Sequence, residues 1–367
     1  MEKNLDTSRK INIYFTWTNL PVYGYFVLKF LHSKLKKKKN INFKVLSTET
    51  FHKENYRENS SFFRDIKWIS SDKKYTWDQL GLEIPDIYFQ SGLNIKSFNY
   101  LAKITSKNKN SKLIFCTDNI LDSKNIKLSL KNLIFKLFFK NQYEYALVPG
   151  ALSKQLMINR GFNNKEIYTG IYSALQIYRT KKRIQSRKKQ FIYVGQFIER
   201  KNLQELCKAF SFVTKNQNDW KLILVGNNNS NLKNLKLNKN IKVINYLSAS
   251  KLLNLYNEST FFILPSLIEN WGLVVHEASK CGCFLILSNK VGSIYEFTNK
   301  KNTILFNPKS SCSIINSIKK AISLKNKELI RGSLESQRLS KFYNYDNIYC
   351  QFMKIVNKCL KKNIIIK

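Results

Sequence analysis

The feature that most constrains the fold of this chain is an alternation that runs its whole length. Short apolar, β-branched or aromatic runs alternate with longer stretches of helical period. In the first half, Ile11–Thr16, Phe43–Leu46, Ile87–Phe89, Leu113–Cys116 and Tyr145–Val148 read as strands. Between them Val22–Lys37, Ile95–Thr105, Ile126–Lys140 and Ser153–Arg160 read as helices. A second series then begins, with strands at Phe191–Val194, Trp220–Val225, Ile241–Ile244, Thr260–Leu264 and Phe284–Leu287. Its helices are Leu203–Thr214, Ser250–Asn257, Ile314–Leu324 and Asn326–Lys341. Such a pattern predicts α/β domains built on parallel sheets with right-handed crossovers.

The chain has 367 residues, the length of two ordinary domains. Residues 180–189, TKKRIQSRKK, are strongly basic and aperiodic. They read as the linker, which gives a first domain over 1–178, a linker over 179–189, a second domain over 190–344 and a closing amphipathic helix within 345–367.

The formal net charge of +39 raises the question of a nucleic-acid partner. The charge is not clustered, however: residues 1–180 carry +16 and the rest +23. Lys, Asn and Ile are inflated together, which is a compositional bias and not a binding patch. Nucleic acid is therefore not the expected partner. Peripheral attraction to an anionic membrane fits the charge better. Ile126–Lys140, IKLSLKNLIFKLFFK, mixes basic and apolar residues at helical spacing, and reads either as a surface helix or as a sheet-covering helix with lysines outward.

The seven cysteines are irregularly spaced, and Cys281 and Cys283 have no second pair to complete a metal site. No stretch reaches the roughly 20 apolar residues of a transmembrane helix, and Met1–Arg9 lacks signal-peptide character. A cytoplasmic protein, peripheral on the inner membrane at most, is expected.

Pro265–Gly282, PSLIENWGLVVHEASKCG, carries the most chemistry. It follows the strand Thr260–Leu264 and enters a helix near Trp271-Gly272. A helix starting just past a parallel strand points unpaired N–H groups and partial positive charge at the crevice above the sheet. Glu269 precedes that helix and Glu277 lies inside it. An anion at the helix tip with hydroxyls gripped by two carboxylates is the pattern of a sugar diphosphate. A glutamate pair can equally be a solvated face, but Gly272–Ala278 carries no lysine and Glu277 is flanked by Val274, Val275 and Ala278.

This segment resembles the signature of retaining glycosyltransferases of family GT4, a glutamate, seven residues and a second glutamate. The likeness extends to Val291-Gly292-Ser293 and Glu296. It covers the second half well and the first half weakly. The resemblance implies a GT-B fold: two Rossmann-like domains with parallel sheets facing across a cleft, and a closing helix that returns to the first domain. It implies that Glu277 receives ribose hydroxyls, that Glu269 holds donor-sugar hydroxyls, and that the backbone at Asn270, Trp271, Gly272 and Leu273 meets phosphate or sugar.

Phe191–Asn202, FIYVGQFIERKN, ends a strand near Gly195 and then presents Arg200 and Lys201. Adjacent cations at a strand's carboxyl end suit a diphosphate. Relatives carry Gly-Arg where this chain has Gly195-Gln196. Lys201 matches the family lysine, and Arg200 is the candidate to replace the missing arginine. Asn227, Tyr246 and Leu247 follow later strands, and either wall the nucleotide base or pack within loops.

On the acceptor side, Asp118 follows Leu113–Cys116 and could orient an acceptor hydroxyl or simply serve its turn. Gly24 is placed near the cleft. None of His32, His52 and His276 supplies a matching base, and His276 is expected to point away from Glu277's ligand. There is no Asp-x-Asp triplet. The expected reaction is a metal-independent, retaining transfer of a hexose-type sugar from a nucleotide-diphosphate donor to a glycan or lipid-linked acceptor, with no cofactor, in surface polysaccharide or lipopolysaccharide assembly. The rivals are an epimerase or hydrolase on the same fold, or a nucleotide-sugar or nucleic-acid binding protein without turnover; replacement of the family arginine by Gln196 favours the last.

Overall fold

The computed structural model describes residues 9–48, 61–120, 126–215, 219–227 and 238–360. His52 and the end of the expected closing segment, 361–367, lie outside them. The chain divides into two compact units, residues 1–173 with 345–367, and residues 174–344.

The first unit is a seven-stranded parallel sheet: β1 (Ile11–Trp17), β2 (Ile41–Thr48), β3 (Lys67–Ile69), β4 (Ile87–Gln90), β5 (Lys112–Cys116), β6 (Tyr145–Val148) and β7 (Ile167–Thr169). Their order is β3-β2-β1-β4-β5-β6-β7. β4 is buried along its whole length, as expected of a strand covered by helices on both faces. The helix Tyr345–Cys359 packs on this unit: Phe352 stacks on Phe89 of β4 at 4.7 Å and meets Phe43 of β2 edge-on at 5.9 Å.

The second unit is a six-stranded parallel sheet of β8 (Lys188–Val194), β9 (Lys221–Val225), β10 (Ile241–Ile244), β11 (Ser259–Leu264), β12 (Phe284–Ser288) and β13 (Thr303–Phe306). The order is β10-β9-β8-β11-β12-β13. β11 and β12 are buried throughout, and their apolar runs are what made them readable.

β3, β7 and β13 were not anticipated. They are short strands at the margins of their sheets, and none is buried along its whole length. The expected linker also differs. Residues 174–187 pack into the second unit, with Tyr178, Ile184 and Arg187 buried. Arg187 donates to the carbonyls of Lys182 at 3.0 Å, Ser259 at 3.1 Å and Cys281 at 2.6 Å. A basic, aperiodic run reads as a linker, but a guanidinium with five donors can satisfy several buried carbonyls at once and so draw such a run into a packed unit.

Ile126–Lys140 forms an α-helix over Ile126–Ile134 that passes into a π-turn over Phe135–Phe139. Asn132 and Phe135 are buried, whereas Leu137 and Phe138 are 61% and 77% exposed beside Lys131 and Lys136. The helix covers the sheet, yet its outer face is apolar as well as basic.

Removing the Arg187 clamp strands buried carbonyls, each of which carries a desolvation cost of about 1–3 kcal/mol. Arg187→Ala should therefore lower the unfolding free energy by at least about 2 kcal/mol in urea titration. A loss within error of zero would show that water satisfies those carbonyls equally well.

Candidate active site

In the second unit the strand order reverses between β8 and β11, which are neighbours although three strands apart in sequence. The loops leaving such a pair diverge, opening a crevice at the carboxyl edge of the sheet. The loop after β8 carries Gly195, Gln196, Arg200 and Lys201, and the loop after β11 carries Glu269.

The structure brings the central residues together. Lys201, 7% exposed, is hydrogen-bonded through Nζ to Glu269 Oε2. Arg200 Nη1 lies 3.7 Å from the same oxygen and 3.3 Å from the carbonyl of Ile268. Ser266 Oγ approaches Glu269 Oε2 at 3.5 Å. The two loops are tied by the Leu267 amide donating to the Arg200 carbonyl at 2.8 Å. Burial pushes the Lys201 ammonium down from its ordinary range, while Glu269 pulls it back up and Arg200 adds to the lowering. One carboxylate thus holds two cations at the edge of the sheet.

Glu269 and its neighbours are fixed from behind by the stretch Lys290–Ser293. The Glu269 amide donates to the Lys290 carbonyl at 3.1 Å, Gly292 to Glu269 at 2.8 Å and Ser293 to Trp271 at 3.1 Å. A Cβ on Gly292 would stand 1.7 Å from the Asn270 carbonyl oxygen, so only glycine allows this approach. Gly272 has φ +81° at the start of the helix Leu273–Lys280, a conformation that favours glycine. The Trp271 side chain is buried against Phe297 and Tyr343, which leaves its backbone as the part that can face a ligand. Leu273 and Asn270 are half-buried at the helix entrance.

Glu277 is buried on that helix and accepts a hydrogen bond from Tyr256 at 3.0 Å. Burial raises its carboxyl to about 7, against the lowering effects of Tyr256 and Lys280. Tyr178 lies close enough for its own hydroxyl to be pushed up by burial and by Glu277. Tyr256 and Tyr178 escaped the sequence reading, because nothing in the sequence signals which aromatic residues close over a carboxylate. His276 packs away from this site. Its Nδ1 accepts from the Ala174 amide at 2.9 Å, so Nε2 carries the proton to the Ser340 carbonyl at 3.0 Å.

Gln196 is exposed, and its carbonyl accepts from Tyr193 at 2.9 Å. Gly195 meets the next loop so closely that a Cβ on Gly226 would stand 1.9 Å from the Gly195 carbonyl oxygen. Asn227 and Tyr246 are exposed and Leu247 is half-buried, so only Leu247 has loop packing.

The first unit has its own reversal, between β1 and β4. There a cavity of 1020 Å³ opens, lined by residues from the loops after both strands. Asp118 lines it, hydrogen-bonded to Tyr172, which also bonds Tyr23. Gly24 does not line it: a Cβ there would meet Trp17 Cε2 at 2.9 Å, so this glycine lets the indole pack and does not face a ligand.

Two α/β units with parallel sheets of seven and six strands are the architecture of the GT-B fold, and the second groups cations and a carboxylate at its switch point. Residues 176–333 match the family described as glycosyl transferases group 1. A lipopolysaccharide 1,2-N-acetylglucosaminetransferase of Salmonella typhimurium is 26% identical over 324 residues, which span 78% of this chain and 82% of that protein. The capsular polysaccharide biosynthesis glycosyltransferase CapH of Staphylococcus aureus is 28% identical over 196 residues, 47% of this chain and 52% of its own. In fold, the chain is similar to Anabaena Alr3699/HepE solved with UDP, with a TM-score of 0.74 at 13% identity, covering 95% of this chain and 100% of that one.

Glu277 and His276 couple stability to pH in opposite senses. Glu277 rises from 4.5 to about 7 on folding, so the folded state holds an extra proton in that window, and this contribution is lost as pH rises through it. His276 falls from 6.5 to about 3, so its contribution is gained as pH rises between those values. Glu277→Gln removes only the first. The stability of Glu277→Gln relative to wild type should therefore grow from pH 4.5 to 7 in urea unfolding. A constant difference would show that the carboxyl is not linked to folding.

Proposed function

We propose that this enzyme moves a hexose-type sugar from a nucleotide-diphosphate donor to a glycan or lipid-linked acceptor in the building of surface polysaccharide or lipopolysaccharide. We assign it to the GT4 type, with retained anomeric configuration and no requirement for a metal. The observation that carries the reading is the grouping of Arg200, Lys201 and Glu269 at the switch point beside the start of the helix Leu273–Lys280. The names of the two relatives, one a lipopolysaccharide and one a capsular enzyme, support the setting.

The roles follow from charge. Cleaving the sugar–phosphate bond leaves positive charge at the anomeric carbon and negative charge on the departing diphosphate. Arg200, Lys201 and the helix N-terminus stabilise the leaving group. Glu269 accepts hydroxyls of the donor sugar and Glu277 those of the ribose, with Tyr256 orienting Glu277. Asp118, on the first unit, orients an acceptor hydroxyl. Arg200 takes the place of the family arginine absent at Gln196, since it shares Glu269 with Lys201.

The donor is found by a thermal-shift screen of UDP-, GDP-, ADP- and dTDP-sugars, since a ligand at 100 times its dissociation constant stabilises by about 2.7 kcal/mol. Loss of one preorganised charge at a developing anion lowers turnover on the order of 100- to 1000-fold. Lys201→Ala should show that loss in transfer assays while its circular dichroism stays native, and wild-type activity should survive EDTA. A Lys201→Ala variant at the wild-type rate would remove the lysine from the chemistry.

We also propose peripheral contact with anionic membrane through the segment Lys131–Phe139, whose exposed Leu133, Leu137 and Phe138 are interleaved with Lys131 and Lys136. Leu137→Asp with Phe138→Asp should cut sedimentation with phosphatidylglycerol vesicles at least about tenfold, the sum of lost apolar insertion and added repulsion. Unchanged sedimentation would place the contact elsewhere.

A further inference from the structure

The cavity of the first unit contains a charge that none of the described residues neutralises. Arg160 closes the helix Ala151–Asn159 and is only 5% exposed. Its Nε donates to Asn132 Oδ1 at 3.0 Å, and the guanidinium lies 4.8 Å from the Phe135 ring and 5.9 Å from that of Phe115. Nη1 is buried and has no hydrogen-bond partner among the described residues. Among the described residues no carboxylate forms an ion pair with it, in contrast to Lys201, which is buried to a similar degree and has Glu269. Burial alone shifts the guanidinium, down to about 10, with no acidic group acting in the opposite direction.

A buried cation without a counter-charge is expensive, and two ring contacts with one amide return only part of that cost. Cations left in this condition are understandable where an anion arrives from outside. Arg160 lines the 1020 Å³ cavity, so such an anion has a place to come from. The exposed Lys103 and Lys131 also line it and would attract negative charge toward it.

The rest of the lining says what bears the anion. Trp17, Tyr23 and Tyr172 supply aromatic faces, and Asn19, Asn94 and Asn99 supply amides. Aromatic faces against C–H surfaces, with amides against hydroxyls, are the chemistry of a saccharide. The cavity is also polarised. Asp118 belongs with Tyr172 and Tyr23, whereas Arg160 belongs with Phe115 and Phe135.

We propose that this cavity binds a saccharide carrying an oxyanion, a carboxylate or a phosphate, with the anion received by Arg160 and hydroxyls by Asp118 and the amides. The proposal deepens the glycosyltransferase reading by giving the acceptor a chemical class. It rests on that reading only for the word acceptor, because the binding itself needs no donor.

Isothermal titration of the full chain with glucuronate, glucose 6-phosphate, glucose and inorganic phosphate tests it, with UDP as an independent ligand. Wild type should bind at least one of the two anionic sugars about tenfold or more tightly than glucose, and that one more tightly than phosphate alone. Preference for glucuronate would identify an acidic sugar, and preference for glucose 6-phosphate a phosphorylated one. Arg160→Gln should erase the preference, Arg160→Lys should retain part of it, and both should bind UDP as wild type does. A purely structural arginine would lower the melting temperature of Arg160→Gln without changing the ratio of anionic to neutral binding. Equal affinity of wild type for glucose and both anionic sugars would overturn the proposal even if Arg160→Gln failed to fold. Phosphate binding as tightly as glucose 6-phosphate, with glucuronate no better than glucose, would overturn the saccharide assignment. Absence of UDP binding with the anion preference intact would count against the donor site, not against this one.

Discussion

One carboxylate, that of Glu269, holds Lys201 and Arg200 together at the carboxyl edge of the second unit's sheet. Lys201 is almost fully buried, and a buried ammonium persists as a cation only beside an opposite charge. Without Glu269, burial and the neighbouring guanidinium would both drive Lys201 toward its neutral form. A neutral lysine has little to offer a diphosphate. The same contact therefore keeps the lysine charged and fixes where that charge stands.

That contact is possible only because β8 and β11 lie side by side in parallel. Sixty-eight residues separate Lys201 from Glu269 along the chain, and the sheet cancels the separation. Lys290–Ser293 then locks the Glu269 loop from behind through three backbone hydrogen bonds. Gly226 and Gly292 allow these loops to approach where a methyl group would overlap a carbonyl oxygen. The rigidity of the site comes from backbone, so its side chains are held on loops that behave as part of the sheet.

The two units repeat one structural solution with different chemistry. Each reverses its strand order once at a central pair, and each places polar and charged groups at the loops beyond that pair. In the second unit a carboxylate neutralises the buried cation. In the first, the buried guanidinium has no carboxylate beside it among the described residues, and lies against the Phe115 and Phe135 rings instead. The two buried positive charges are therefore treated in opposite ways, one beside a carboxylate and one without such a partner among the described residues.

The sequence by itself determined the grammar of the fold. Strands such as β11 and β12 were legible because burial on both faces demands an unbroken apolar run. Glu269, Glu277 and Lys201 were legible because their spacing within one strand–turn–helix segment, or within one loop, is a local property. β3, β7 and β13 were not, since a strand of three or four residues that is only partly buried looks like loop. Tertiary structure alone decided that residues 179–187 pack as part of the second unit, that Gly24 seats an indole, and that Tyr256 meets Glu277. It also decided that Arg160 is buried with no carboxylate partner among the described residues. Each of these depends on which distant residues come to share one low-dielectric space. Periodicity records how a side chain relates to its own helix or strand, whereas the partner across the core is chosen by packing between elements.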